Sequence, residues 1–124
     1  MAFEKKKIAA GEDTPAIITD ENYLHMEGPS FPENAIDFYG PISSSLSEIE
    51  AVSAGTFIAE FDFSILSSAS NKMIFEMLVK LEKLFLSGKD VKVRWYYEPF
   101  DEDMLEEGEG FKETLKIPFE LIEK

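Results

Sequence analysis

The sequence predicts a mixed α/β domain, with elements in the order β-β-α-β-α-β-α-β and helices packed mainly on one face of the sheet. Alternating apolar and polar residues mark strands over residues 56–66, 91–97 and 115–121. An apolar stripe at helical spacing over residues 73–85 separates the first two of these strands. Because helical crossovers favour parallel pairing of the strands that they connect, we expect a largely parallel sheet.

The N-terminal part of the chain predicts a tail and a hairpin. Residues 1–13 carry three lysines and no apolar periodicity, so we expect a flexible N-terminal tail. Residues 14–19 and 23–27 are short β-prone runs that flank a polar turn, a pattern typical of an antiparallel hairpin. A chain of 124 residues has the length of one domain, and residues 14–124 are therefore predicted to form a single domain.

Two helices have recognisable ends. Pro41 suits the first turn of a helix, apolar residues follow it at helical spacing, and Gly55 is the expected end. The longer helix is expected to begin at the serine-rich run 67–70, where a hydroxyl can accept a hydrogen bond from a free backbone N–H. Gly88 is its expected end.

The predicted strands each have one apolar and one polar face. On the longest strand, Ile65 lies at the end of the apolar face, whereas Glu60 and Asp62 share the polar face. The following strand presents Lys92 and Arg94 on its polar face. If the two strands are neighbours, we expect the two acids to pair with these two bases across the sheet.

The charge and the absence of cysteine exclude several classes of function. Asp plus Glu number 25 and Lys plus Arg number 12, so the net charge is −13. This charge repels phosphate backbones and anionic lipid, and we expect neither nucleic-acid nor membrane binding. The lack of cysteine excludes disulfides and thiolate metal sites. No signal peptide or membrane-spanning run is evident, which predicts a cytoplasmic protein.

The acidic stretch Glu98–Glu113 is predicted to be a solvated helix face. A weak helix begins near Asp101, and Gly108 and Gly110 are expected to limit it. The stretch lacks the acid spacing of a calcium-binding loop, so no metal site is predicted. The chain has one histidine, His25, and no phosphate-binding glycine loop. We therefore predict no catalytic residues, no cofactor and no enzymatic activity.

A serine cluster lies where a strand is predicted to give way to a helix. Ser67, Ser68 and Ser70 stand at this junction, at the sheet edge where α/β proteins tend to carry functional groups. Helix capping explains such serines structurally. Phosphorylation explains them functionally, because a phosphate adds about −1.5 to −2 charges to an exposed rim. Residue chemistry leaves both interpretations open.

Several segments resemble the SiaC family, in order and over almost the whole chain. The match runs from Thr14 to about Ile122, and its Pro-Glu-Asn turn and Trp-Tyr-Tyr strand end are fairly specific. The segments are Thr14–Ile17, Gly28–Asn34, Ser67–Lys72, Val93–Tyr97 and Ile117–Phe119. The resemblance implies a STAS-like sheet, related in architecture to anti-anti-sigma factors.

The resemblance also implies a function in partner switching. SiaC-like proteins are non-enzymatic phosphoproteins, modified by a dedicated kinase and restored by a PP2C-type phosphatase. The unmodified form binds and activates a diguanylate cyclase, which links the family to cyclic di-GMP signalling and biofilm regulation. The partner surface is expected to surround the acceptor and to include Asn34, Tyr39 and Lys72.

The family motif also implies an acceptor residue. The acceptor in the family is a threonine, in an Asn-Thr-Ser-Ser stretch, with a lysine four residues later. Counting back from Lys72 places the acceptor at Ser68, with Ser67 and Ser70 as alternatives. The chain departs from the motif at Ser67, where the family often has asparagine, and at Ala69, which replaces a serine.

A second function from another class fits the same residues. The half-open polar sheet face predicts an alternative role as a structural or oligomerising module, in which this face is the contact surface. The serines would then act only as helix caps.

Overall fold

The computed structural model describes residues 5–49 and 54–124, which form a six-stranded sheet with three helices. The strands are Lys6–Ile8 (β1), Ala16–Asp20 (β2), Tyr23–Ser30 (β3), Phe57–Leu66 (β4), Val91–Tyr97 (β5) and Phe119–Glu123 (β6). The helices are Ala35–Leu46 (α1), Ser68–Leu86 (α2) and Glu102–Thr114 (α3). The predicted mixed α/β class, with antiparallel and parallel strands in one sheet, is confirmed.

The strands lie in the sheet in their order along the chain. β1, β2 and β3 pair antiparallel, whereas β3, β4, β5 and β6 pair parallel, as the crossover helices predicted. Because crossovers between parallel strands of one sheet are almost always right-handed, three successive crossovers in one direction place all three helices on the same face of the sheet. The other face has no helical cover among the described residues.

The structure adds one strand to the predicted order. The sequence predicts a flexible tail over residues 1–13, but Lys6–Ile8 pairs with β2 as an exposed edge strand. The prediction failed because an edge strand needs no apolar alternation, and lysines are common on such edges. Residues 1–4 of the predicted tail lie outside the described residues.

Helix α1 begins earlier than predicted. Its N-cap is Asn34, whose side-chain oxygen accepts a hydrogen bond from the backbone N–H of Asp37 over 3.1 Å. Pro41 therefore lies inside the helix rather than in its first turn. The helix ends at Leu46 rather than near Gly55, so both predicted ends were wrong. The asparagine cap determines the start because it satisfies a backbone donor that no helical carbonyl can reach.

Helix α2 matches its predicted ends, whereas α3 is longer than predicted. Gly108 and Gly110 lie inside α3 rather than limiting it. At Gly108 a Cβ atom would approach the Cδ1 atom of Trp95 to 2.5 Å, so the missing side chain lets α3 pack closely on the sheet. Tertiary packing thus overrides the low helix propensity of glycine at this position.

The core lies between the helices and the apolar sheet face. Trp95, at the centre of this face, is fully buried, and its indole N–H donates to the carbonyl of Met104 over 2.9 Å. The ring of Trp95 lies 5.3 Å from that of Phe111, edge to face. This contact attaches α3 to the middle of the sheet and so positions the end of β5.

A β-bulge near the end of β4 exchanges the buried and exposed positions of the residues that follow it. Gly28 lies opposite Phe63, whereas Pro29 lies opposite Ile65, so β4 carries one extra residue. Ile65 was predicted to lie on the buried face, but 54% of it is exposed. Beyond the extra residue the alternation is shifted by one, and Leu66 instead packs against the core.

Candidate functional site

The junction between β4 and α2 is held by backbone and hydroxyl hydrogen bonds. The Ser67 N–H donates to the carbonyl of Ser30 over 2.9 Å, which ties the junction to the end of β3. The Ser67 hydroxyl is the N-cap of α2 and accepts from the N–H of Ser70 over 3.1 Å. These bonds fix the first turn of α2 at the carboxyl edge of the parallel strands.

The three serines of the cluster have different environments. Ser67 is half-buried and serves as the cap, and Ser70 is fully buried. The Ser70 hydroxyl accepts from the Ser30 hydroxyl over 2.8 Å, so it is not accessible as an acceptor in this conformation. Ser68 is exposed, and its hydroxyl has no hydrogen-bond partner within residues 5–49 and 54–124. Only Ser68 combines exposure with an unengaged hydroxyl.

Tyr39 does not belong to the surface, contrary to the prediction. Its side chain is fully buried, and its hydroxyl lies 2.5 Å from that of Ser30. Burial raises the pKa of Tyr39 to about 12. The helical periodicity of α1 turns Tyr39 towards the core. The sequence prediction began this helix near Pro41, so Tyr39 lay outside the predicted helix. Tyr39 thus supports the junction from beneath and cannot touch a partner.

Asn34 and Lys72 lie on opposite walls of one surface groove. The groove, between α1 and α2, has a volume of about 410 Å³. Lys72 is exposed one turn after Ser68, and Asn34 is exposed at the cap of α1. The groove is lined by Glu33, Asn34, Ala35, Ile36, Ala69, Lys72, Met73 and Glu76. The structure therefore brings together two of the three residues predicted for the partner surface.

Sequence reasoning missed a set of exposed apolar side chains on the same edge of the sheet. Phe31 is 43% exposed, Ile36 is 69% exposed and Phe100 is 83% exposed, in addition to Ile65. Phe31 and Phe100 follow the ends of β3 and β5, Ile36 lies in the first turn of α1, and Ile65 lies near the end of β4. A signal was available, because Phe31 and Phe100 both adjoin a proline and so stand in turns. Exposed apolar side chains that share one edge of a fold are candidates for contact with a partner.

The uncovered sheet face carries a hydrogen-bonded network around Glu60. Arg94 Nη1 donates to Glu60 Oε2 over 3.3 Å, which confirms the predicted pairing of these two residues. Tyr23 and Tyr96 donate to the same carboxylate over 2.5 and 3.0 Å, and His25 Nδ1 lies 3.1 Å from it. The carboxylate is thus satisfied within the protein.

The second predicted pair on this face was wrong. Asp62 pairs with Lys124 over 3.0 Å and not with Lys92. In the β4–β5 register Lys92 lies opposite Ile58, four residues before Asp62, and the described pairing of the two strands ends at Phe61. Proximity to the end of β6 therefore decides the partner of Asp62.

A family model described as SiaC family regulatory phosphoprotein matches residues 8–124. The chain belongs to the SiaC family. An uncharacterized protein of Pseudomonas aeruginosa strain UCBPP-PA14 is 29% identical over 114 residues, which is 90% of each chain. Family membership confirms the resemblance that the segments from Thr14 to about Ile122 indicated.

Solved SiaC structures have the same fold as this SiaC-family chain. Apo-SiaC from Pseudomonas aeruginosa superposes with a TM-score of 0.88 at 26% identity, covering 96% of this chain and 98% of that one. A crystal structure of the diguanylate cyclase SiaD in complex with its activator SiaC, also from Pseudomonas aeruginosa, matches with a TM-score of 0.88 and 27% identity. The match covers 96% of this chain and 99% of the solved chain.

The functional groups that this SiaC-family chain can offer a partner at the junction are hydroxyl groups and charged side chains. Within the part of the chain that the structure describes, no three His, Asp or Glu side chains are grouped to hold a metal ion. None of the described helices is long and apolar enough to cross a membrane. The Ser68 hydroxyl, the Lys72 ammonium and the apolar side chains around them can contact a protein surface.

Proposed function

We propose that this SiaC-family protein is a non-enzymatic signalling protein whose binding to a diguanylate cyclase is controlled by phosphorylation of Ser68. The unmodified form binds and activates the cyclase, and a phosphate on Ser68 blocks that binding. A protein kinase adds the phosphate and a PP2C-type phosphatase removes it. The protein thereby couples these two enzymes to cyclic di-GMP signalling and biofilm regulation.

The observation that carries the proposal is the separation of roles among the three serines. Ser67 already caps α2 through its hydroxyl, and Ser70 is buried under the junction. The exposed Ser68 hydroxyl is therefore not needed for capping. This argues against the interpretation in which all the serines act only as helix caps.

The surroundings of Ser68 give a phosphate a large effect on binding and a small effect on folding. Helix N-termini favour negative charge by about 0.3–1 kcal/mol, so the first turn of α2 tolerates the modification. The phosphate adds about −1.5 to −2 charges one residue before Ala69, which lines the groove between α1 and α2 together with the exposed Ile36. A partner surface fitted to the unmodified edge would have to bury that charge, which is costly without a cation.

Two further observations support the choice of partner and the absence of catalysis. The related SiaC of Pseudomonas aeruginosa is the activator of SiaD and forms a complex with it, and this chain covers almost all of the matched chain. The carboxylate of Glu60, the best candidate for acid–base chemistry, is already engaged by four side chains. A base for a reaction would need a free position on that group.

A binding titration against the cognate diguanylate cyclase tests the proposal. Ser68→Asp should weaken binding by at least about tenfold, or about 1.4 kcal/mol, whereas Ser68→Ala should bind like the unmodified protein. Ser44→Asp, on an exposed position of α1, is the matched charge control and should leave binding unchanged. Equal affinities for the two Ser68 variants would contradict the switch.

The modification itself is tested by mass spectrometry on protein isolated from its native cells, with phosphatase-treated material as the control. A phosphate mapped to Ser68 would support the proposed acceptor. A phosphate found only on Ser67 would move the switch to the helix cap, and the consistent absence of phosphate under all growth conditions would contradict it.

A further inference from the structure

A second groove lies on the other side of α2, between α2 and α3. It has a volume of about 750 Å³, larger than the groove between α1 and α2. The groove is lined by Leu66, Asn71, Lys72, Phe75, Asp103, Glu106, Glu107, Gly110, Phe111 and Thr114. The Asn71 side-chain amide donates to the Glu107 carboxylate and so bridges the two helices.

The floor of this groove is apolar and its α3 wall is acidic. Leu66 and Phe75 are half-buried, and the rings of Phe75 and Phe111 stack with centroids 6.1 Å apart. Asp103 and Glu106 are exposed on the wall, and neither makes an ion pair or side-chain hydrogen bond with a described residue. The groove thus combines an apolar floor with two wall carboxylates that make no ion pair with a described residue, and its lining cation, Lys72, lies on the α2 side.

Gly110 leaves the α3 wall of the groove without a side chain at this position. A Cβ atom at this helical position would meet nothing within 4 Å, and its φ is not positive. Neither packing nor backbone conformation therefore requires glycine, which costs about 0.5–1 kcal/mol relative to alanine inside a helix. Gly108, in contrast, is required by its contact with Trp95. The structural consequence of Gly110 is a bare stretch of backbone on the groove wall.

We propose that the α2–α3 groove docks a basic amphipathic helix of a partner protein, on a surface that adjoins the Ser68 edge at Lys72. Apolar side chains of that helix would pack on Phe75 and Phe111, and its Lys or Arg side chains would pair with Asp103 and Glu106. The wall from Asp103 to Thr114 spans about 16 Å at 1.5 Å per residue, which accommodates about three helical turns.

Within the part of the chain that the structure describes, the lysine run near the N-terminus does not fill the groove. The lysine run Lys5–Lys7 includes two residues of β1, at the opposite edge of the sheet from β6. A docked basic helix would also respond to phosphorylation differently from the proposed Ser68 edge. A phosphate on Ser68, one turn before Lys72, adds negative charge near the end of the groove and does not repel a basic helix. The groove therefore suits a partner that binds the phosphorylated and the unphosphorylated protein equally well.

A peptide titration tests this inference without using the cyclase, so that its failure is distinguishable from a failure of the proposed function. The probe is a fluorescein-labelled amphipathic peptide of about 14 residues, with Leu at helical spacing and Lys elsewhere. Anisotropy should show micromolar binding to the full chain. A peptide with Glu in place of Lys should not bind. Absence of binding by the Lys peptide up to about 1 mM would overturn the inference.

Matched variants of α3 separate groove binding from general charge attraction. Asp103→Asn/Glu106→Gln changes the groove wall, whereas Glu109→Gln/Glu113→Gln changes exposed acids of the same helix outside the groove. Each pair neutralises two carboxylates and so reduces the net negative charge equally, from −13 to −11. The first pair should weaken binding about tenfold, and the second less than about twofold. Equal weakening by both pairs would overturn the inference.

Two further variants leave the wall charges in place. Gly110→Leu places a side chain in the groove at a position without nearby atoms, and should weaken peptide binding at unchanged or higher Tm. Unaltered peptide affinity of this variant would contradict docking in the groove. Ser68→Asp should bind the peptide at least as tightly as the unmodified chain. A tenfold loss with Ser68→Asp would show that the two surfaces are one, against the proposal.

Discussion

Arg94 lies directly opposite Glu60 in the parallel pairing of β4 and β5, and its Nη1 atom donates to the Glu60 carboxylate over 3.3 Å. Burial of Glu60 raises its pKa, but hydrogen bonds from Tyr23, Tyr96, His25 and Arg94 together outweigh burial and hold the pKa below its ordinary value of 4.5. The network thus stabilises the charged form of a carboxylate on the uncovered sheet face.

The first prediction concerns acid stability. Because the folded-state pKa of Glu60 lies below 4.5, its stabilising contribution is present above pH 4.5 and is lost as the pH falls through the folded-state value. Glu60→Gln should lower the free energy of unfolding at pH 7 by about 1–3 kcal/mol, since a charged acceptor of several donors is removed. It should also flatten the decline of stability below pH 4.5. Urea unfolding between pH 3 and 7 measures both effects.

Glu120→Gln is the matched control for this network. Glu120 is more exposed than Glu60 and contacts the same arginine through Nε at 3.7 Å. Exposed ion pairs contribute only about 0–1 kcal/mol to stability. Glu120→Gln should therefore leave the decline of the free energy of unfolding below pH 4.5 almost unchanged. If Glu60→Gln and Glu120→Gln lost the same stability with the same pH dependence, the prediction that Glu60 has a special role would be wrong.

The second prediction separates the roles of Ser67 and Ser68 in stability. Ser67→Ala removes the N-cap of α2 and should lower the free energy of unfolding by about 0.5–2 kcal/mol. Ser68→Ala removes a hydroxyl without a partner among the described residues and should change stability by less than about 0.5 kcal/mol. Urea unfolding of the two single variants measures the difference. A larger loss from Ser68→Ala would reverse the assignment of the cap.

Sequence reasoning predicts elements that are determined locally. The alternation in β5 and in β4 up to its bulge, and the stripe and cap of α2, depend on neighbouring residues, and the structure confirms them. Pro41, Gly108 and Gly110 were misinterpreted because their local preferences are overridden by the asparagine cap and by the docking of α3 on Trp95.

The candidate site shows the same division between local and long-range information. The position of the serine cluster at a strand–helix junction is a local feature and was predicted. The burial of Tyr39 depends on where α1 begins, and the exposure of Ile65 depends on a bulge opposite Gly28 and Pro29. Neither feature leaves a periodic pattern in the residues around it, so both required the structure.

The third prediction concerns the buried hydroxyls beneath the Ser68 edge. Tyr39→Phe removes a hydroxyl that lies 2.5 Å from that of Ser30 and should lower the free energy of unfolding by about 0.5–1.5 kcal/mol. The pKa of Tyr39 rises from 10.0 to about 12 on folding, so its contribution is full below pH 10 and is lost as the pH rises towards 12. Tyr39→Phe should therefore lose less stability between pH 9 and 11 than the parent chain.

Tyr97→Phe serves as the comparison for the alkaline measurement. Tyr97 is half-buried on β5 and makes no side-chain hydrogen bond with a described residue, so removing its hydroxyl should have little effect at neutral pH. Urea unfolding at pH 7, 9 and 11 distinguishes the two variants. An unchanged alkaline decline in Tyr39→Phe would contradict the assigned role of Tyr39.

The last prediction gives opposite signs to two glycines of the same helix. Gly108→Ala places a Cβ atom 2.5 Å from Trp95 Cδ1 and 2.7 Å from Leu121 Cδ2, so α3 must move away from the sheet. We expect a loss of about 1–3 kcal/mol in the free energy of unfolding, together with a shift in the fluorescence of Trp95. Gly110→Ala meets no atom within 4 Å and should instead stabilise the protein by about 0.5–1 kcal/mol. Urea unfolding followed by Trp95 fluorescence measures both variants, and destabilisation by Gly110→Ala would mean that the fold itself requires this glycine.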